Sequence, residues 1–344
     1  MKAADRRPAA QDVMLGHITG YWISQMLFVV AQLGVADELA SKPLAPDVLA
    51  KRVGAQPDAL HRILRALASV GIFAETADGR FKLTATAATL RSDIPGSLRN
   101  FARMMMDDYN WRGWQELLHG VRTGEVGFER AHGKPFFAWL REHPDQDRVF
   151  SDSMASISGP ENAAIARGYD FGRFGTLVDV GGAHGHLLAA ILRRHKRLRG
   201  VLYDQPQVVE AARASGFVTA PDVAARCAIE GGDFFAGVPK AADAYMMKYI
   251  VHDWSDERAG VLLRQCREAM RPGGRVLVIE HVIAKGNAPD WAKLLDVNML
   301  ALLTGRERTL EQFRALFRSA GLKLLRAHAT KSALRILEAA ADGS

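Results

Sequence analysis

Along the first half of the chain, apolar residues recur at intervals of three and four. Leu60, Ile63, Leu64, Leu67 and Val70 share one face of a helix predicted over Pro57–Val70, after a shorter one over Pro46–Val53. The run IFAETADGRFKLT then alternates on either side of Asp78-Gly79, a dipeptide suited to the tight turn of a β-hairpin. From Gly175 the pattern changes. TLVDV (176–180), GVLYD (200–204), RCAIEG (226–231), DAYMMK (243–248) and RVLVIE (275–280) are short β-rich runs, most of them separated by helical segments of ten or more residues. Strands alternating with helices predict βαβ units and a parallel sheet covered on both faces. The boundary between the two patterns falls within 150–175, where GPENAAIARGYDFGRFG is punctuated by Gly and Pro. This divides the chain into a mostly helical domain, 1–165, and an α/β domain, 166–344.

Composition narrows the picture. With 344 residues, 48% hydrophobic and 24% charged, the chain is long enough for a large core and unlike a disordered, collagenous or coiled-coil protein. Cys227 and Cys266, the two cysteines, have no metal-type spacing, so neither a disulfide framework nor a cysteine zinc site is expected, and a reducing cytoplasm fits. The polar start, MKAADRRPAAQD, carries no signal-peptide pattern. The most apolar stretch, Ile18–Ala36, is interrupted by Thr19, Ser24, Gln25, Gln32 and two glycines and is followed by Asp37 and Glu38. It is expected to be a buried helix at a subunit interface and not a membrane anchor. Two helices and a hairpin between Leu44 and Leu90 outline a winged helix, whose second helix would present His61, Arg62 and Arg65 to nucleic acid. The net charge is +7, but no dense Lys/Arg stripe lies on that helix, so nucleic-acid binding is not expected.

The sharpest chemical signal follows the first predicted strand. Gly181, Gly182 and Gly185 permit a tight turn and a close approach at a helix start, and Asp179 precedes them. An acid there suits an amine-bearing ligand better than a pyrophosphate. Asp204 ends the second strand, where a carboxylate can accept hydrogen bonds from ribose hydroxyls. Asp233 and Phe234 follow the third and could hold a purine by hydrogen bond and stacking. Lys248 ends the fourth and Glu280 the fifth. In a parallel sheet these ends share one edge, the edge that binds ligands. His252 lies four residues beyond Lys248 and is the candidate general base, with Glu280 or Glu307 available to orient its imidazole.

LVDVGGAHG, LYDQP, GDFF, KYIVHDWSDE, RPGGRVLVIEHVI and GRERTLEQFRALFRSAGL together resemble the S-adenosylmethionine-dependent O-methyltransferases. This is the family of plant caffeate and flavonoid methyltransferases, acetylserotonin methyltransferase and bacterial antibiotic-tailoring enzymes. The resemblance covers nearly the whole chain. It implies a Rossmann-like methyltransferase sheet with a reversed last strand, in a hairpin supplied by 326–340, and an N-terminal winged-helix-like dimerisation domain. It assigns Gly181, Asp204, Asp233, Phe234 and Lys248 to the methyl donor, S-adenosylmethionine, whose product is S-adenosylhomocysteine. Met154 and Ser158 match a segment near donor and acceptor. His252 matches the general base, Glu280 and Glu307 the acids beside it, and Asn298 an acceptor contact. Ala183-His184 departs mildly from the pattern. No metal is implied.

Asp253, Asn298, Met299, Met105 and Phe137 are expected on the acceptor side, among a wider set of aromatic and methionine residues that includes Phe128, Phe136 and Trp139. Methionines adapt to irregular flat ligands, although such stripes also build ordinary cores. The expected activity is methylation of an aromatic or polycyclic hydroxyl by a cytoplasmic homodimer. Two other readings stay open: a winged-helix regulator with a nucleotide-sensing domain, and an N-methylating or non-methylating relative.

Overall fold

The computed structural model describes residues 9–343; residues 1–8, the first part of the polar N-terminal stretch, lie outside the described residues. The chain forms two compact units. One comprises residues up to Trp111 with Leu140–Ile157, and the other Arg112–Trp139 with Ser158 onward.

The first unit is largely helical. Helices Pro46–Val53 and Pro57–Ser69 each begin with proline, which is suited to the first turn because its missing N–H has no intrahelical partner. Gln56 caps the second, its Oε1 accepting the Ala59 N–H at 2.6 Å. The predicted hairpin is present, pairing Phe73–Glu75 with Phe81–Leu83 around the turn at Asp78-Gly79. Leu49, Leu60, Leu64, Leu67, Phe73 and Phe81 are fully or almost fully buried in one cluster. The apolar stretch Ile18–Ala36 lies mainly in helix Gly20–Gln32, which follows helix Ala10–Ile18 and precedes the short helix Val35–Glu38; Val30, Ala31, Val35 and Ala36 are buried. Met14, Leu15, Ile18, Tyr21 and Trp22 are exposed. Taken as one run, Ala10–Gln32 is long and apolar enough to cross a membrane by length and composition alone.

The second unit is built on a seven-stranded sheet: β1 Thr176–Val180, β2 Arg199–Asp204, β3 Cys227–Gly231, β4 Ala242–Lys248, β5 Met270–Glu280, β6 Leu322–Ala329 and β7 Arg335–Ala341. Their order is 6-7-5-4-1-2-3. Strands β1 to β5 are parallel, and β7 runs antiparallel to both β5 and β6. This is a Rossmann-like sheet closed by a reversed hairpin, and the five β-rich runs are its parallel strands. Alternation along each strand explains the layers. Leu177, Leu202, Ala244, Met246, Leu277 and Ile279 pack on one face with Leu188 and Ile191 of helix His186–Arg194. Val178, Val180, Tyr245, Met247, Val276 and Val278 pack on the other with Leu262, Leu263 and Phe313. Burying each such side chain contributes about 1.5–3 kcal/mol.

Along the sequence, the last division between the two units falls at Ile157–Ser158, inside the segment 150–175. Pro160 falls inside one continuous helix, Pro144–Gly168, in which it forfeits a single main-chain hydrogen bond. Gly159 and Pro160 lie inside that helix, Gly168 is its last residue, and Gly172 and Gly175 lie beyond it.

Gly185 opens helix His186–Arg194 at φ +75°, and a Cβ on it would lie 2.3 Å from Val218 Cγ1. Gly185→Ala is therefore expected to cost about 1–2 kcal/mol from the backbone alone, and more from the clash. A urea unfolding midpoint equal to wild type would refute this.

Candidate active site

The parallel strands deliver their carboxyl ends to one edge. After β1 the chain turns through Gly181 at φ +71° and Ala183 at φ +49°. A Cβ on Gly181 would come within 2.4 Å of Ile250 Cδ1, and one on Gly182 within 2.6 Å of Asp179 Oδ2. Only glycine keeps this cradle open. The Ala183 N–H donates to Asp204 Oδ2 at 2.9 Å, and the Gln205 N–H to Asp204 Oδ1 at 2.7 Å. Burial raises the Asp204 carboxyl above its ordinary range, with these two amides opposing it. Asp179 is buried, and its Oδ2 has no hydrogen-bond partner. Burial, reinforced by Asp204 and opposed by Lys248, pushes Asp179 up to about 7. An unsatisfied buried acceptor beside a second acid is costly unless a donor or cation meets it. The edge thus fits a ligand with an ammonium group and hydroxyls.

Beyond β3, Asp233 is exposed and accepts the Phe235 N–H at 2.9 Å. Phe234 stands edge-on to Phe235 and Trp254. Lys248 is engaged within the chain: its Nζ lies 3.0 Å from Glu161 Oε2 and 2.9 Å from Asn162 Oδ1. Burial lowers the Lys248 pKa, and Glu161 opposes that shift.

His252 sits in the short turn Val251–Asp253. Its Nδ1 is 2.5 Å from Glu307 Oε1, and its main-chain N–H donates to Glu280 Oε1 at 3.0 Å. Its Nε2 is 3.4 Å from Asp253 Oδ1. Both glutamates thus reach His252, but differently: Glu307 holds the imidazole, and Glu280 holds the backbone that carries it. Burial opposes the charged imidazole, yet Asp253, Glu307 and Glu280 outweigh it and push His252 up to about 10. Burial pushes Glu280 up to about 7 and Asp253 up to about 6, with His252 opposing both shifts. These protons belong to the cluster as a whole.

Two neighbours make the pairing possible. A Cβ on Gly305 would lie 1.8 Å from the His252 carbonyl oxygen, so glycine alone lets the segment bearing Glu307 come this close. Arg308, fully buried, donates to the carbonyls of Val251 and Trp254 at 3.1 and 2.9 Å and to Asp256 Oδ1 at 2.8 Å. It straddles the His252 turn.

A family profile for an O-methyltransferase domain matches residues 114–323, and one for an O-methyltransferase dimerisation domain matches residues 15–93. The chain is 42% identical over 328 residues to the phenazine O-methyltransferase PhzM of Lysobacter antibioticus, covering 95% of each. It belongs to the S-adenosylmethionine-dependent O-methyltransferase family.

Among solved structures, the S-adenosylhomocysteine-bound form of CalO1, a methyltransferase of calicheamicin biosynthesis, superposes with a TM-score of 0.85 at 36% identity. That match covers 98% of this chain and 100% of the other. The phenazine-1-carboxylate N-methyltransferase of Pseudomonas aeruginosa is 33% identical, covering 88% and 89% of the two chains.

In this methyltransferase Asn298 lies on helix Trp291–Leu302, its Oδ1 accepting from Trp114 Nε1 at 3.0 Å. Met299 beside it is buried, and Phe137 lies 6.4 Å from Trp254, ring to ring. Phe128 and Phe136 are buried and pack edge-to-face, as core. Ser158 lies in the same compact unit, whereas Met105 and Met154 fall in the other. Among the described residues, no group of three or more His, Cys, Asp or Glu could hold a metal ion. Glu161, Asn162, Tyr249, His281, Gly305 and Arg308 were not legible as site residues. Arg308 and Gly305 flank Glu307 in the same motif, so that motif carried a signal; Glu161 and Asn162 lie on helix Pro144–Gly168, away from any strand end.

Gly305→Ala is expected to cut turnover about 100-fold by displacing Glu307 from His252, with product binding unchanged. Wild-type turnover in that variant would show that the close approach does not matter.

Proposed function

We propose that this methyltransferase methylates a hydroxyl on a flat aromatic or polycyclic natural product, with His252 as the general base. The observation that carries the reading is the imidazole held at Nδ1 by Glu307, which leaves Nε2 as its acid–base atom, at the strand edge that bears the glycine cradle. S-adenosylmethionine, when bound, supplies a methyl group already activated by its sulfonium. Asp179 and the turn Gly181, Gly182 and Gly185 would hold its amino-acid part, and Asp204 its ribose. Asp233 and Phe234 would hold its adenine. Lys248 and Ser158 would line the same edge. Asp253, Asn298, Met299 and Phe137 would face the acceptor, and the cytoplasm is the expected compartment.

A phenol has a pKa of about 10, matched by His252 pushed up to about 10. The proton therefore moves between them at little cost, and Glu307, Glu280 and Asp253 stabilise the imidazolium. The resting imidazole carries its proton at neutral pH. An acceptor entering as phenolate, and a neutral phenol meeting the small fraction of enzyme with free Nε2, both reach the same phenolate–imidazolium pair. Because that pair holds one proton in total, kcat/KM for a phenol of ordinary acidity should rise about tenfold per pH unit from 7 towards 9. A plateau beginning at pH 7 would contradict the raised proton affinity of His252.

His252→Ala should lose about 10²–10⁴-fold in kcat while S-adenosylhomocysteine binding persists. Retained turnover on a weakly acidic phenol would remove His252 as base. The same variant separates oxygen from nitrogen acceptors, since a ring nitrogen with a free lone pair has no proton to surrender.

The exposed face of helices Ala10–Ile18 and Gly20–Gln32 lies largely in the matched dimerisation domain, and a second copy of the chain would cover it. Light scattering should find a dimer, and Trp22→Glu, at a position 56% exposed, should shift it towards monomer. A wild-type monomer at micromolar concentration would count against the assignment.

A further inference from the structure

We propose that Tyr249 is a positioning residue that fixes the plane of the His252 imidazole and links it to Lys248 and Glu161, an inference that rests on His252 being the base. Tyr249 follows β4 directly and holds φ at +56°, a conformation that a large L-residue adopts only under constraint. The constraints are visible. Its main-chain N–H donates to the Ile279 carbonyl of β5 at 3.3 Å. Its hydroxyl donates to Glu161 Oε1 at 2.9 Å and lies 3.1 Å from His281 Nε2. With its single proton given to Glu161, the hydroxyl accepts from His281, whose Nε2 is the protonated nitrogen of a neutral ring. Burial lowers the His281 pKa, which keeps that ring neutral. Glu161 then offers its other oxygen to Lys248 Nζ at 3.0 Å. The result is a directional hydrogen-bond chain from His281 through Tyr249 to Glu161, which an ion pair joins to Lys248.

The aromatic ring itself lies against the base. Its centroid is 5.3 Å from that of the His252 imidazole with the planes 32° apart, and Lys248 Nζ is 5.2 Å from the same centroid. The hydrogen bond at Nδ1 and the contact of Nε2 with Asp253 locate the two ring nitrogens but leave the ring plane free to rock about the line joining them. A ring packed on its face removes that freedom, and the hydroxyl network prevents the packing ring from moving. Burial raises the Tyr249 phenol far above its ordinary value, so it remains a donor throughout the working pH range. The strained backbone is what lets one side chain touch both the lysine that precedes it and the histidine three residues on.

The test uses proton NMR of the whole protein, in which the short contact between His252 Nδ1 and Glu307 should give a strongly downfield proton. His252→Ala should abolish that signal and so assign it. Tyr249→Leu should abolish or broaden it, while S-adenosylhomocysteine binds within about threefold of wild type by calorimetry, which shows that the fold and the product site persist. Tyr249→Phe, which keeps the ring, should retain the signal. A wild-type signal in Tyr249→Leu would overturn the positioning role and leave the base assignment standing. Absence of the signal from wild type would overturn the His252–Glu307 pairing itself. Loss of product binding in both Tyr249 variants would make the residue merely structural and also overturn the proposal.

Discussion

The contact between His252 Nδ1 and Glu307 Oε1, at 2.5 Å, is the point on which the chemistry of this structure turns. The two residues are 55 positions apart, and neither would be placed correctly by its own element. His252 depends on a short turn after β4, held by Glu280 from the end of β5 and by the buried Arg308 guanidinium. Glu307 depends on Gly305, where any side chain would collide with the His252 carbonyl. The main cost is burying several acids together. The imidazole partly offsets it by carrying charge, which is why its proton affinity rises as that of Glu280 and Asp253 is only partly restrained.

A second constraint lies beside it on the same edge, at the end of the neighbouring strand β1. Asp179 and Asp204 are brought together by the glycine turn after β1, and Asp179 keeps an unsatisfied oxygen. A fold tolerates such an arrangement where a ligand relieves it. The parallel sheet is what makes the two clusters neighbours in design: its five strands all stop at one edge, and residues more than a hundred positions apart are delivered there by topology alone.

The sheet was legible because its strands are short apolar runs carrying β-branched or aromatic residues and bounded by turn and helix signals. TLVDV and its four successors therefore matched closely in position. The strand-end acids were legible for the same reason, since their place follows from where each run stops. Tyr249, Glu161 and His281 were not, because nothing in their spacing indicates that a hydroxyl, a carboxylate and an imidazole converge. Pro160 does not break the helix, since 25 residues absorb one missing hydrogen bond, although the division between the compact units falls close to it, at Ile157–Ser158. The N-terminal helices were recognisable as apolar, but burial is a property of a partner surface, and a single chain's pattern does not state whether that surface is its own.

The measurement that bears most directly on the account is a calorimetric titration of S-adenosylhomocysteine into the wild-type protein. Saturable binding at one site per chain is the predicted result, with the glycine turn, Asp179 and Asp204 as its walls. Absence of binding by protein shown to be folded would contradict it, because the unsatisfied acid at the sheet edge would then have no ligand to meet it.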